Sequence, residues 1–337
     1  MLRRFTFVIL LCFLAGCFPG QGIPKKQELH LQGYTMGTTY NVKVIVDNDF
    51  DSAALQTKID AALVQVNDEM STYQQDSEIT RFNQSQGKQP VAISAGFRTV
   101  LTEALKIAEQ TNGKLDITVG PLVNLWGFGP DLQPERVPSE QDISIARERV
   151  GYNKVVLTEQ GLSKTQPDIY IDLSTIAKGW GVDVVAMLIE AEGITDYLVE
   201  VGGEMRLSGF KATGELWHVA IEKPVTTERA VHQIIVPKNN SVATSGDYRN
   251  YIEVDGKRYS HIIDPDTAYP IEHRLVSVTV IHPSSMISDG LSTAIMVMGP
   301  ELGLAFAEEH ELAALMIVKT DTGFEEIVTK SFMQYLK

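Results

Sequence analysis

Ile169-Tyr-Ile-Asp-Leu-Ser-Thr-Ile-Ala-Lys-Gly-Trp-Gly-Val-Asp183 is the stretch on which the architecture turns. Its first five residues form an apolar run of the kind a buried strand carries. Trp180, Val184, Val185, Leu188 and Ile189 then recur at helical spacing, so the segment predicts a strand over Ile169–Leu173 leading into a helix. Between them lies Asp172-Leu-Ser-Thr175, where Ser174 or Thr175 can cap the helix. The helix start carries partial positive charge and suits an anion. Gly179 and Gly181 sit in the early turns, each costing about 1 kcal/mol relative to alanine. Close packing or the approach of a ligand to the backbone accounts for such glycines.

Upstream, a strand region over Leu29–Val46 is interrupted at Tyr34–Tyr40. An amphipathic helix over Asp51–Tyr73 presents Leu55, Ile59, Leu63 and Val66 on one face. Ser71–Asn83 reads as a polar connection and Gly96–Thr111 as a helix stopped by Asn112-Gly113. Leu115–Gly129, apolar residues mixed with glycines, suits a pocket wall, and Ser139–Val150 reads as a short charged helix. Downstream come strands at Tyr197–Val201, Leu216–Ile221, Val231–Val236 and Leu275–Ile281, and a hairpin about Asp255-Gly256. Helices at Ser288–Met298 and Pro300–Glu309 precede two closing strands. Meandering strands with a few helices make the fold class α+β.

The chain opens MLRRFTFVILLCFLAGCFPG: two arginines, an apolar run too short to span a bilayer, then small residues. This is the pattern of a secretory signal. Leu14-Ala-Gly-Cys17 resembles the lipobox of bacterial lipoproteins. Residues 1–16 are therefore expected to be removed, Cys17 to be lipidated, 17–27 to form a tether and 28–337 to form the domain. That places the domain on the periplasmic side of a bacterial membrane, the inner one favoured. Cys12 lies in the leader, which leaves the mature chain without a disulfide, a thiolate metal site or a cysteine nucleophile. No later stretch reads as a membrane-spanning helix. Without Arg3 and Arg4 the chain carries 27 basic and 43 acidic residues, a charge of -16 that argues against nucleic acid as a partner.

Asp289 and Thr293, four apart on a helix, share a face and offer a carboxylate and a hydroxyl to a hard cation. Asp289 equally suits helix capping. In Ser260-His-Ile-Ile-Asp-Pro265, His261 can serve as a general base near neutral pH, oriented by Asp264 or a backbone group, or can be purely structural. There is no Walker A loop, no G-x-S-x-G elbow and no G-x-G-x-x-G after a strand, and Ala314 breaks a zinc-protease pattern begun at His310-Glu311.

Several blocks, taken in order, resemble the ApbE-type FAD:protein FMN transferases. They are Met36-Gly-Thr-Thr-Tyr40, Met70–Tyr73 with Ser77–Asn83, Asp116–Gly129, Asp172-Leu-Ser-Thr-Ile-Ala-Lys-Gly179, Gly202-Gly-Glu204, Ala243–Tyr248, Ser260–Pro265 and Asp289-Gly-Leu-Ser-Thr293. The resemblance implies a T-fold-like α+β architecture and FAD as substrate. It implies FAD contacts from Met36, Tyr73, Lys114, Leu115, Asp116, Asp172, Lys178 and Ile263. It also implies a Mg²⁺ site from Thr175 and Ser292, through main-chain carbonyls, with the side chains of Asp289 and Thr293. His261 falls on the position proposed as catalytic base. The implied partner is a protein that receives FMN on a threonine, a membrane respiratory-complex subunit by analogy. Lys178 stands where some members carry Glu, Ser292 where some carry Asp, and Ala268 where Gly is frequent. An FAD pyrophosphatase releasing FMN and AMP, or a flavin-binding lipoprotein without chemistry, are the alternative readings.

Overall fold

The computed structural model describes residues 26–130, 136–224, 230–248 and 250–337. The expected leader and Cys17 lie outside them.

Among the described residues the chain lays down one eight-stranded sheet whose strands sit side by side in chain order, every neighbouring pair antiparallel. They are β1 (Lys26–Thr35), β2 (Thr38–Asp47), β3 (Tyr197–Val201), β4 (Glu204–Ser208), β5 (Ser241–Gly246), β6 (Leu275–His282), β7 (Ala313–Thr320) and β8 (Gly323–Val328). Between β2 and β3 the chain leaves the sheet for α1 (Ser52–Met70), α2 (Glu78–Gln84), α3 (Ala95–Gln110), α4 (Gly120–Leu125), α5 (Glu140–Arg147) and α6 (Ala177–Ala191). The helix α7 (Ser285–Glu309) joins β6 to β7. The expected α+β class holds.

Alternation along the strands decides the layers. Val42, Val44 and Val46 of β2 and Tyr197, Val199 and Val201 of β3 face a core shared with Leu55, Ile59 and Leu63 of α1 and Val182, Val185 and Ile189 of α6. Ile45, Leu207, Leu315 and Ile317 point to the opposite face, where Trp217, Val219, Ile221 and Phe332 cover them. Each such buried aliphatic side chain contributes about 1.5–3 kcal/mol.

The expected helix face of α1 is buried as read, and Asp51 caps it by accepting from Ala54 N–H at 3.0 Å. The polar connection after it proves to contain α2, capped by Ser77 and anchored by buried Ile79 and Phe82. The expected strand Ile169–Leu173 joins no sheet. Its apolar side chains are fully buried, but its backbone is held piecemeal: Asp172 N–H donates to Ile117 O at 2.7 Å, Ile169 O accepts from Lys164 Nζ at 3.1 Å, and Ile171 is held by a side chain. Asn83 donates from Nδ2 to Ile171 O and accepts from Ile171 N–H, both at 2.8 Å, as a neighbouring strand would. The two expected C-terminal helices run end to end within α7 and are separated where expected, at Gly299, whose φ of 79 and ψ of -179 are not helical, ahead of Pro300; the first starts three residues earlier than read, at Ser285. Contrary to expectation, α7 is long and apolar enough by composition to cross a bilayer (mean hydropathy 1.4), yet 61% of that window is buried within the domain. It is a core helix.

Candidate active site

The site forms where the N-termini of α6 and α7 meet, and each helix caps the other. The first residue of α6 is Ala177, preceded by Ile176 without a side-chain cap. The expected caps do not form, because Ser174 is drawn into a turn on Asp172, whose Oδ1 accepts from both its N–H (2.8 Å) and its hydroxyl. The free N–H of Gly179 donates instead to Asp289 Oδ2 of α7 at 2.9 Å. Conversely, Asp183 of α6 accepts from Ser285 N–H and Met286 N–H at 3.0 Å and from Ser284 Oγ at 2.6 Å, at the start of α7. Arg206 of β4 pairs with the same carboxylate at 3.0 Å. Asp289 thus caps a helix other than its own. Its helix is capped by Ser284, which leaves Asp289 in the second turn.

Beside this junction lies a cavity of about 410 Å³. Tyr73, Lys114, Leu115, Asp116, Asp172, Thr175, Lys178, His261, Ile263, Asp289 and Thr293, all anticipated from sequence, line it together. Met36 lines an adjoining cleft of about 650 Å³, which shares Tyr73, Ser174, Lys178 and Asn250 with the cavity. Ser292 is the exception. It is buried under the wall, its hydroxyl donated to Asp289 O at 2.9 Å and bonded to Ser245 Oγ at 2.8 Å.

Lys178, two residues into α6, reaches the two acids of the site. Its ammonium bonds Glu204 Oε1 and stands 3.7 Å from Asp289 Oδ1. Burial pushes the Asp289 carboxyl well above the usual carboxylate range against the pull of Lys178, and the charge of Glu204 adds to the rise. The buried Asp116 carboxylate is spent on local structure. It accepts from Thr118 N–H (2.7 Å), Thr118 Oγ1 (2.6 Å) and Tyr152 N–H (2.9 Å), fixing the turn that leads into α4. Lys114 Nζ is held by Asp264 at 3.0 Å and by Asp266 at 2.8 Å.

His261 follows the Lys257–Ser260 strand, and its Nδ1 lies 2.8 Å from Asn250 O. A carbonyl only accepts, so neutral His261 carries its proton on Nδ1 and a lone pair on Nε2. Of the two orienting groups considered, the backbone carbonyl is the one used; Asp264 is engaged by Lys114. Burial lowers the His261 pKa below 6.5, and the nearby Lys178 charge lowers it further against the Asn250 bond, so the imidazole is neutral at pH 7.

Among the lining residues given no role in the sequence reading are two in blocks quoted there: Glu204, after Gly202-Gly203, and Ser245. Ser245 Oγ bridges Ser292 Oγ and Thr293 Oγ1 at 2.8 and 3.1 Å. Among the described residues no cluster of three or more His, Cys, Asp or Glu is arranged to hold a metal. The donors present are oxygens: the Asp289 carboxylate, the Thr293 hydroxyl and the buried Thr175 Oγ1, which has no hydrogen-bond partner. An unpartnered buried hydroxyl lining the same cavity as a carboxylate fits a hard cation of the Mg²⁺ type, which takes one or two carboxylates and completes its shell from substrate phosphates and water.

Residues 36–316 match the model of the ApbE family. The chain is 51% identical over 327 residues to the FAD:protein FMN transferase of Vibrio cholerae, covering 97% of this chain and 96% of that one. It is 41% identical to that of Escherichia coli, covering 98% and 97%. Its fold superposes on the flavin transferase ApbE from Vibrio cholerae with a TM-score of 0.87, at 51% identity, over 92% of this chain and all of the other. It superposes on the apo flavinyl transferase ApbE of Pseudomonas stutzeri with a TM-score of 0.85, at 39% identity, over 92% and 97%. With the fold, the cavity and the ordered blocks in agreement, this chain belongs to the ApbE family.

Proposed function

We propose that the chain transfers the FMN half of FAD to a threonine hydroxyl of a partner protein, with Mg²⁺ as the cation and AMP as the leaving group. The names of its relatives support the reaction class. The site supports it through one observation above all: Lys178, Asp289, Thr293, Thr175 and His261, from distant parts of the chain, line one cavity that continues into the cleft under Met36 and Tyr73. Two joined recesses suit a dinucleotide with two bulky ends and a charged middle.

The side chains of Asp289 and Thr293, with the main-chain carbonyls of Thr175 and Ser292, would hold the divalent cation, which supplies charge stabilisation for the diphosphate oxygens. The Lys178 ammonium faces the same charge. Nε2 of His261 takes the proton of the acceptor hydroxyl as its oxygen bonds to the FMN phosphorus. The bond from that phosphorus to the bridging oxygen breaks, and AMP departs with the bridging oxygen. Exposed Tyr73, beside Asp172, offers a face for ring stacking, while Asp116, its carboxylate committed to the turn, presents backbone to the ligand.

The lipobox at Cys17, a short way before β1, would tether the domain to a membrane on its periplasmic side, within reach of a membrane-bound acceptor such as a respiratory subunit.

The test is incubation with FAD and Mg²⁺, with and without co-expressed candidate acceptors, followed by mass spectrometry for an added FMN on threonine. Asp289→Ala is expected to remove cation-dependent transfer while the protein stays folded. Free FMN formed at full rate without acceptor would replace transfer by hydrolysis, and full activity in Asp289→Ala would end the metal assignment.

A further inference from the structure

Two buried carboxylates compete for one ammonium in this site, and the competition is settled unevenly. Glu204, 3% exposed, receives Thr244 N–H on Oε2 at 3.2 Å and turns Oε1 to Lys178. Asp289, also 3% exposed, receives Gly179 N–H on Oδ2 at 2.9 Å and turns Oδ1 to the same ammonium. Each acid is thus pinned by one backbone N–H and offers one free oxygen. The ammonium sits in hydrogen-bond contact with Glu204 and stands off from Asp289 at 3.7 Å. Charge attraction at such separations is strong in a buried site, so the acid that draws the lysine closer weakens its hold on the other.

We propose that Glu204 is a positioning residue: by holding Lys178, it keeps the outward oxygen of Asp289 available to a divalent cation. The assignment rests on the cation site proposed above. It also gives the third residue of Gly202-Gly-Glu204 a task. The turn from β3 into β4 ends on this carboxylate, the first residue of β4. Without that acid, Lys178 swings onto Asp289 and occupies the cation's place with its own charge.

The experiment measures Mn²⁺ binding by electron paramagnetic resonance, without FAD, so that it is independent of transfer. Glu204→Gln keeps an oxygen for Thr244 N–H but gives up the charge; it is expected to raise the Mn²⁺ dissociation constant at least about tenfold. Removing the lysine as well, in Lys178→Ala/Glu204→Gln, is expected to bring the affinity back towards that of the unmodified protein, because Asp289 is then unopposed. Unchanged affinity in Glu204→Gln overturns the proposal. So does a double variant that binds as weakly as the single one, which would make Glu204 a ligand or a source of general negative potential. If the unmodified protein takes up no Mn²⁺, the cation site and the positioning role fall together. If it binds and Glu204→Gln binds equally, only the positioning role falls.

Discussion

Replacing Gly179 by alanine sets two effects of opposite sign against each other. In an isolated helix the change stabilises by about 1 kcal/mol. Here a Cβ at position 179 would stand 2.3 Å from Ser285 O, 2.6 Å from its carbonyl carbon and 2.8 Å from Asp289 Cβ. To reach ordinary contact, α6 and α7 must separate by about 1 Å, and overpacking of this kind costs about 1–3 kcal/mol. The same displacement pulls Gly179 N–H from Asp289 Oδ2, a bond to a charged acceptor that contributes about 1.5–3 kcal/mol. The net expectation is destabilisation by about 1.5–5 kcal/mol. Gly181, two residues further along the same helix, is the internal control. A Cβ there meets Met36 Sδ at 3.2 Å and Leu63 Cδ2 at 3.6 Å, both ends of flexible side chains. Gly181→Ala is therefore expected to be neutral or stabilising by up to about 1 kcal/mol. Urea unfolding followed by circular dichroism reads both values, and FAD fluorescence quenching reads whether the Gly179 variant has lost its site. A Gly179→Ala protein as stable as the Gly181→Ala one, with FAD affinity intact, would refute the reasoning.

Two further outcomes are expected. In the proposed mechanism His261 acts as the neutral base, so the rate of FMN transfer should fall with acid about a midpoint below 6.5. His261→Ala should lower the rate by about 10²–10⁴-fold, abolish that acid limb and spare FAD binding; a limb that survives the substitution assigns the proton transfer elsewhere. Asp183→Ala strips the start of α7 of three hydrogen bonds and leaves Arg206 without its buried partner. A loss of about 3–5 kcal/mol is expected in thermal or urea unfolding, and a loss below 1 kcal/mol would show that water replaces the carboxylate.

Where an element makes its own bonds, it was legible in the residues. The helix α1 shows its buried face as Leu55, Ile59, Leu63 and Val66, and its start as Asp51; α5 starts at its cap Ser139, while α3, read from Gly96, is capped by Ser94 just before it. Alternating apolar residues announced β3 and β6. Glu204-Met-Arg-Leu-Ser208 and Ser241-Val-Ala-Thr-Ser-Gly246 did not read as strands, because charged, hydroxylic and small side chains there face the site rather than a core. Ile169–Leu173 has the composition of a buried strand, but the amide of Asn83 stands in for its neighbour. One long-range side chain of that kind leaves no local pattern.

By itself, then, the sequence determined the helices other than α2 and α4, most of the strands and much of the inventory of lining residues, since periodicity, caps and ordered motifs depend on neighbours along the chain. Only the tertiary structure decided how those residues are used. Asp289, which reads as a cap for its own helix, caps α6, and Asp183 of α6 returns the service to α7. Lys178 is shared between acids that lie 26 and 111 positions away (204 and 289 against 178). The physical reason is that a helix N-terminus offers free N–H groups to whatever carboxylate is nearest in space. Which carboxylate that is depends on the packing of two helices, not on the spacing of residues within either.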